Sequence, residues 1–334
     1  MIYLDYDDVL INPKPSAKPL TRADVNIEVN GTVPVVIANM PSTGTYKIAK
    51  LLANEKIVTF IHKEYSIEEH LKYLMDPELD ITYIGITSGV REVDIEKTTK
   101  ILEKVEPAYI NIDIANVYAN LQGMCNAISY YKKHFPDCEI VAGNIANTLI
   151  IDQLVEAGAD WIKIGVGPGA ACKTRSEVGV GVPQFHAVQE ISKRAKELGV
   201  KTIADGGCVT SGDVCKAIAA GADMVMIAGM VSKSEECDNI VEIDGKKYVN
   251  FYGLGSTKQY NKHGISDKEY RPNEGRDLLI PCKGSILDVT NQIKGALRSV
   301  CTYVGVDDIK DLHANAEFIQ VNHQINRSLE KYEQ

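Results

Sequence analysis

Residues 165–175 read GVGPGAACKTR, a run too rich in glycine and proline for regular helix or strand, with a thiol, a hydroxyl and a guanidinium close behind. Glycine-rich turns let backbone amides approach a ligand. A cysteine in such a place has four chemical uses: nucleophile, metal ligand, half a disulfide, or a small buried residue. Eight cysteines stand at 125, 138, 172, 208, 215, 237, 282 and 301, none in a C-x-x-C pair, and the seven histidines show no zinc spacing. Free thiols, most of them buried, are therefore expected, and a metalloenzyme is not. Cys172 differs by position. It sits in a polar loop with Lys173 and Arg175 close in sequence, and positive charge favours the thiolate. Other chemistry-bearing residues are Lys63 in IHKEYS, Asp113, the run Asp205-Gly206-Gly207 and the run Ala228-Gly229-Met230.

These residues share one property: each falls at the end of a short apolar run. The runs are 33–40, 57–62, 81–87, 108–115, 139–146, 161–167, 201–207 and 224–230, apolar nearly throughout, as strands buried on both faces must be. Between them lie segments of helical spacing such as 147–158 and 184–199, the latter ending in a cationic turn and a glycine. Eight such units predict an α/β fold, a (βα)8 TIM barrel, with a doubly wound open sheet as the alternative. In the barrel, sites form on the loops that follow the strands. The Cys172 loop would then follow the sixth strand, and the two glycine pairs the seventh and eighth, where amides converge on phosphate. Asp205 beside that cradle is placed to accept from a ribose diol.

Residues 231–283 interrupt the pattern. DGKKYV reads as a hairpin turn, and the polar stretch after it predicts a mobile flap at about 253–283, inserted after the eighth strand. A further helix is expected near 285–298. The whole of 1–334 reads as a single catalytic domain with no inserted regulatory domain. Its 334 residues are 45% apolar and 24% charged, as in soluble globular chains, and the net charge of −9 argues against a duplex nucleic-acid partner. No signal peptide and no membrane span are expected.

The stretches GVGPGAACKTRSEVGVGVPQ, ADGGCVTSGDV and YRPNEG…IPCKGSI resemble the IMP dehydrogenase/GMP reductase family. RSVCTYVG, IHKEYSIEEH and YDDVLINPKPS look more like its reductase branch, and the resemblance runs from about residue 4 to 325. It implies a cytoplasmic homotetramer that exchanges the 2-amino group of GMP for hydride from NADPH, giving IMP and ammonia. Cys172 would be the nucleophile at carbon 2 of the purine, with Thr174 and Glu274 relaying protons. Asp205, Gly206, Gly207, Ala228 and Gly229 match ribose and phosphate contacts. Gly253, Leu254, Gly255, Arg271 and Gly275 match the substrate-covering flap. Lys63, Asp113, Ile114, Ala115, Val166, Gly167, Tyr270, Ser299 and Thr302 fall at positions implicated around the cofactor or the departing amine. Gly167, Gly169, Cys172 and Arg175 match a potassium site.

The chain departs from that pattern in carrying Ala170 and Gly255 where serine is usual, Ala228 where glycine is usual, and Pro41 where aspartate is common. The departures leave a deoxy or modified guanine nucleotide open as substrate. The dehydrogenase reaction, IMP to XMP with NAD, is the other alternative. Against it, the flap reads Tyr270-Arg271, the reverse of the dehydrogenase order.

Overall fold

The chain begins with a short strand, β1 (Val9–Ile11), followed by β2 (Val35–Ile37), β3 (Val58–Ile61), β4 (Ile84–Ser88) and β5 (Tyr109–Asp113). Next come β6 (Glu139–Ile145), β7 (Trp161–Ile164), β8 (Lys201–Asp205) and β9 (Met224–Ile227). In this computed structural model, which describes residues 2–252 and 274–322, β2 to β9 pair in parallel and in sequence order. The last strand returns to the first through Val35↔Val225 and Ile37↔Ile227, so the sheet is a closed barrel and the open-sheet alternative is excluded.

Strand β7 is shorter than its apolar run because glycine stops it. The run 161–167 ends as strand at Ile164, since Gly165 (φ +142°) and Gly167 (φ +89°) turn the backbone where other residues rarely follow. A Cβ on Gly165 would come 2.2 Å from the Asp205 carbonyl oxygen, so the close approach of β7 to β8 also requires glycine.

Helices α1 (Tyr46–Ala53), α2 (Ile67–Leu74), α3 (Glu92–Leu102), α4 (Leu121–His134), α5 (Ile151–Glu156), α6 (Thr174–Glu177), α7 (Gln184–Leu198), α8 (Ser211–Ala219) and α9 (Ile286–Val304) follow in chain order. Several ends are written into the sequence. Ser66 with Glu69, and Thr210 with Asp213, form reciprocal caps at the starts of α2 and α8. Gly199, left-handed at φ 74°, closes α7 as its sequence predicts. Helix α9 runs to Val304, six residues beyond the expected end at 298.

Two cores result. Outward strand residues such as Ile110, Ile112, Ile162, Ile164 and Ala204 pack against the helices. The inward set, Val36, Val58, Phe60, Tyr109, Val141, Trp161, Ile203, Met224 and Met226, fills the barrel. The period-2 alternation of a strand carries the inward set upward to polar residues. Tyr109 is followed inward by Asn111 and Asp113, Trp161 by Lys163, and Ile203 by Asp205. The barrel has an apolar floor and a charged upper layer.

Beyond β9, β10 (Ile240–Ile243) and β11 (Lys246–Tyr252) form the expected hairpin. Asp244 and Gly245, both at positive φ, make the two-residue turn. A third strand, β12 (Asp277–Pro281), pairs with β11 on its other side. The interval read as flap therefore ends in sheet, and residues 277–281 are not part of a loop. Last, β13 (Phe318–Gln320) pairs with β1 and ties the C-terminal region to the N-terminal one. Among the described residues no helix is long and apolar enough to cross a membrane.

Candidate active site

Cys172 is half-buried in the turn after β7, the sixth barrel strand, and its amide donates to the Gly169 carbonyl at 2.9 Å. Its Sγ lies 3.2 Å from Thr174 Oγ1, and that hydroxyl donates to Glu274 Oε2 at 2.7 Å. A hydroxyl has one proton, and it points at Glu274. The thiol is then the donor to Thr174. Sulfur, hydroxyl and carboxylate form one hydrogen-bonded chain.

The main chain holds Glu274 in this place. The Lys173 amide donates to the Glu274 carbonyl at 2.7 Å, the Arg276 amide donates to the Ala171 carbonyl at 2.9 Å, and Cys172 pairs with Gly275 as an antiparallel bridge. Two rungs of sheet thus join the cysteine turn to the segment leading into β12. Sequence reasoning put Glu274 and Gly275 on a flap that must close to reach Thr174; the structure has both zipped to the turn.

The cations expected to favour the thiolate are engaged elsewhere. Arg175 donates to Asp5 at 2.9 Å and to the Val182 carbonyl at 2.6 Å, and Asp5 also accepts from the Gln184 amide at 3.1 Å. Lys173 approaches Glu177 at 3.9 Å. Arg175 braces the turn against the N-terminal segment instead of facing the sulfur.

Above the apolar floor lies a second set of groups. Lys163, only 1% exposed, places Nζ 3.0 Å from Asp113 Oδ2 and 3.4 Å from Asp205 Oδ2. Asn39 donates to Asp113 at 3.0 Å, and Asn144 donates to Asp205 and to the Gly165 carbonyl, both at 2.8 Å. Burial disfavours the charges, but mutual contact prevails: Asp113 stays below the usual carboxylate range and Lys163 above the usual ammonium range. Lys63, expected near Asp113, does share a small cavity with it, lined also by Asn39, Pro41, His62, Glu64 and Thr87. The Lys63 carbonyl is held by Lys97 of α3 at 2.8 Å. Ile114 and Ala115 follow Asp113 on the same rim, the first half-buried and the second exposed.

The glycine-rich turns converge as the sequence predicts. A Cβ on Gly206 would lie 3.0 Å from the Gly169 amide nitrogen, and one on Gly229 would lie 3.3 Å from the Ala170 methyl. The turns after β7, β8 and β9 therefore touch, bringing Val166, Gly167, Gly169, Gly206, Gly207, Ala228 and Gly229 to one end of the barrel. Ser299 and Thr302 do not join them. They lie on α9, about 20 Å along the helix from its start at the rim. There Ser299 accepts from Arg22 Nε at 2.8 Å and donates to the Gly295 carbonyl, while Thr302 donates to the Ser299 carbonyl. Gly253, Leu254, Gly255, Tyr270 and Arg271 lie outside the described residues. Among the described residues no three His, Cys, Asp or Glu side chains are grouped to hold a metal.

Sequence reasoning missed Lys163, Asn39 and Asn144. One signal was available: Lys163 is the only charged residue in WIKIGVG, an otherwise apolar buried strand.

A closed (βα)8 barrel with a hydrogen-bonded thiol–hydroxyl–carboxylate chain and three converging glycine turns on one rim defines the class. Residues 3–328 match the sequence model of the IMP dehydrogenase/GMP reductase domain. Human GMP reductase 1 is 38% identical over 335 residues, covering 97% of this chain and 96% of the relative. The GMP reductase of Escherichia coli K12 is 38% identical over 338 residues, with the same coverage. The chain belongs to the IMP dehydrogenase/GMP reductase family.

Proposed function

We propose that this chain converts GMP to IMP and ammonia with NADPH as reductant, through a covalent adduct on Cys172. The likeness to reductases over nearly the full length supports the reaction, and the Cys172–Thr174–Glu274 chain is the observation that carries the mechanism. An unprotonated amino group is a poor leaving group from an aromatic guanine, so a direct displacement at carbon 2 has a high barrier. Addition of sulfur makes carbon 2 tetrahedral and divides the problem into two easier steps. Thr174 passes the thiol proton toward Glu274 as sulfur attacks. The same route returned from Glu274 protonates the departing amine, which leaves as ammonia. The sulfur-linked purine is the electrophile that remains, and NADPH, when bound, supplies the hydride that releases IMP.

The backbone amides of Gly206, Gly207, Ala228 and Gly229 hold the phosphate, and Asp205 holds the ribose diol. Lys63 and Asp113 place a cation and a hydrogen-bonding carboxylate on the wall of one cavity, a donor set that fits the amide and phosphates of a nicotinamide dinucleotide. Potassium, an oxygen-seeking cation, fits the carbonyls of Gly167, Gly169, Cys172 and Arg175 better than their side chains. Ser299 and Thr302, half-buried on α9 away from this rim, would meet a cofactor only across an interface of the proposed homotetramer.

The test is one assay. Purified protein with GMP and NADPH should lose nicotinamide absorbance and release ammonia one for one, while IMP with NAD gives little signal. Faster reduction of NAD with IMP would reverse the assignment to the dehydrogenase reaction. Faster turnover of dGMP than of GMP would move the substrate to a deoxynucleotide.

A further inference from the structure

We propose that Lys163 is a positioning residue that makes Asp205 a ribose reader and links it to Asp113 on the cofactor side; this rests on the function proposed above. The geometry is specific. One ammonium on β7 touches Oδ2 of two carboxylates, on β5 and on β8, at 3.0 and 3.4 Å, and almost none of it meets solvent. Asn39 and Asn144 add a second donor to each carboxylate, so both Oδ2 atoms are held from two sides. Asp205 is thereby held in a fixed plane, with Oδ1 left to accept from a hydroxyl. A carboxylate aimed in advance of binding forms its hydrogen bond at no reorganisation cost. Without the ammonium, Oδ2 of Asp205 keeps only the Asn144 donor, and the carboxylate is free to turn out of its plane. A carboxylate that is no longer aimed holds a diol less well.

The alternative is that Lys163 only neutralises buried charge. The two roles differ in what they do to ribose selectivity. Hydrogen bonds to charged groups contribute about 1.5–3 kcal/mol, roughly ten- to a hundredfold in affinity. Binding of GMP and of dGMP, which lacks the 2′-hydroxyl, should therefore differ by about tenfold or more in the wild type. In Lys163→Met the ratio should collapse below about threefold, mainly by loss of GMP affinity, and Lys163→Arg should restore part of it. Calorimetry without cofactor reads the ratio, and circular dichroism checks folding. Should Lys163→Met not fold, the charge-balanced double variant Lys163→Met/Asp113→Asn carries the same measurement. An unchanged ratio in a folded variant overturns the inference while leaving the proposed reaction in place. Wild-type protein that binds GMP but consumes no NADPH with it overturns the reaction and leaves the role of Lys163 standing. Wild type that binds neither nucleotide overturns both.

Discussion

At the scale of single residues, chemistry rests on where protons can go. Among the described residues the hydrogen-bonded exit of the Cys172 thiol runs through Thr174 to Glu274, and Arg175 is committed to bracing the turn. Glu274→Gln keeps the size and can still bond Thr174, but cannot carry the proton. If Glu274 is the acid for the departing amine, single-turnover ammonia release should slow by about 10²–10⁴-fold with much less change in GMP affinity. Normal release by the glutamine variant would remove Glu274 from the reaction. Cys172 and Thr174 were legible in the sequence because the turn that presents them is local, two residues apart. Lys163, Asn39 and Asn144 were not. Their carboxylate partners lie 42 to 74 residues away, and only closure of the barrel brings them together.

At the scale of elements, the two-rung ladder between Ala171–Lys173 and Glu274–Arg276 brings Glu274 within reach of Thr174. Its partners are about a hundred residues apart, and nothing in either segment alone specifies the register, so sequence reasoning left Glu274 on a free flap. Strand β12 escaped for a related reason: five residues, DLLIP, gain strand character only from β11 beside them. The ladder can be tested without touching a side chain of the relay. Arg276 is exposed, and its amide makes one rung. Arg276→Pro deletes that N–H and restricts Gly275 as well. A small displacement of Glu274 should then lower kcat by about ten- to a hundredfold. Arg276→Ala keeps the N–H and should behave as wild type. Equal activity in both variants would show that the ladder does not position Glu274.

At the scale of the whole molecule, the barrel was legible because one pattern recurs eight times, and an error in any one run leaves the count intact. The clasp of β1 on β13 was not, since three-residue strands carry no period. The helical shell also hides a titrating group far from the chemistry. His70 of α2 is 2% exposed, its Nδ1 lies 2.6 Å from the Tyr46 hydroxyl of α1, and Tyr65 packs edge-on to its ring. Burial, with help from Lys97 and His62 and against Glu69, pushes it down from 6.5 to about 3. The folded chain therefore keeps His70 neutral at a pH where the unfolded chain has protonated it. More protons bound in the unfolded state means that stability rises with pH between these values. The contribution is complete above about 6.5 and is lost as pH falls toward about 3. His70→Gln keeps a hydrogen-bonding group for Tyr46 and removes the titration. Between pH 7 and pH 4.5, two units below the unfolded value, the wild type should lose about 2–3 kcal/mol more unfolding free energy than the variant. Every other titration is shared by the two proteins and cancels in the comparison. Urea denaturation at both pH values measures the difference, and equal losses would mean that His70 takes up its proton in the folded chain.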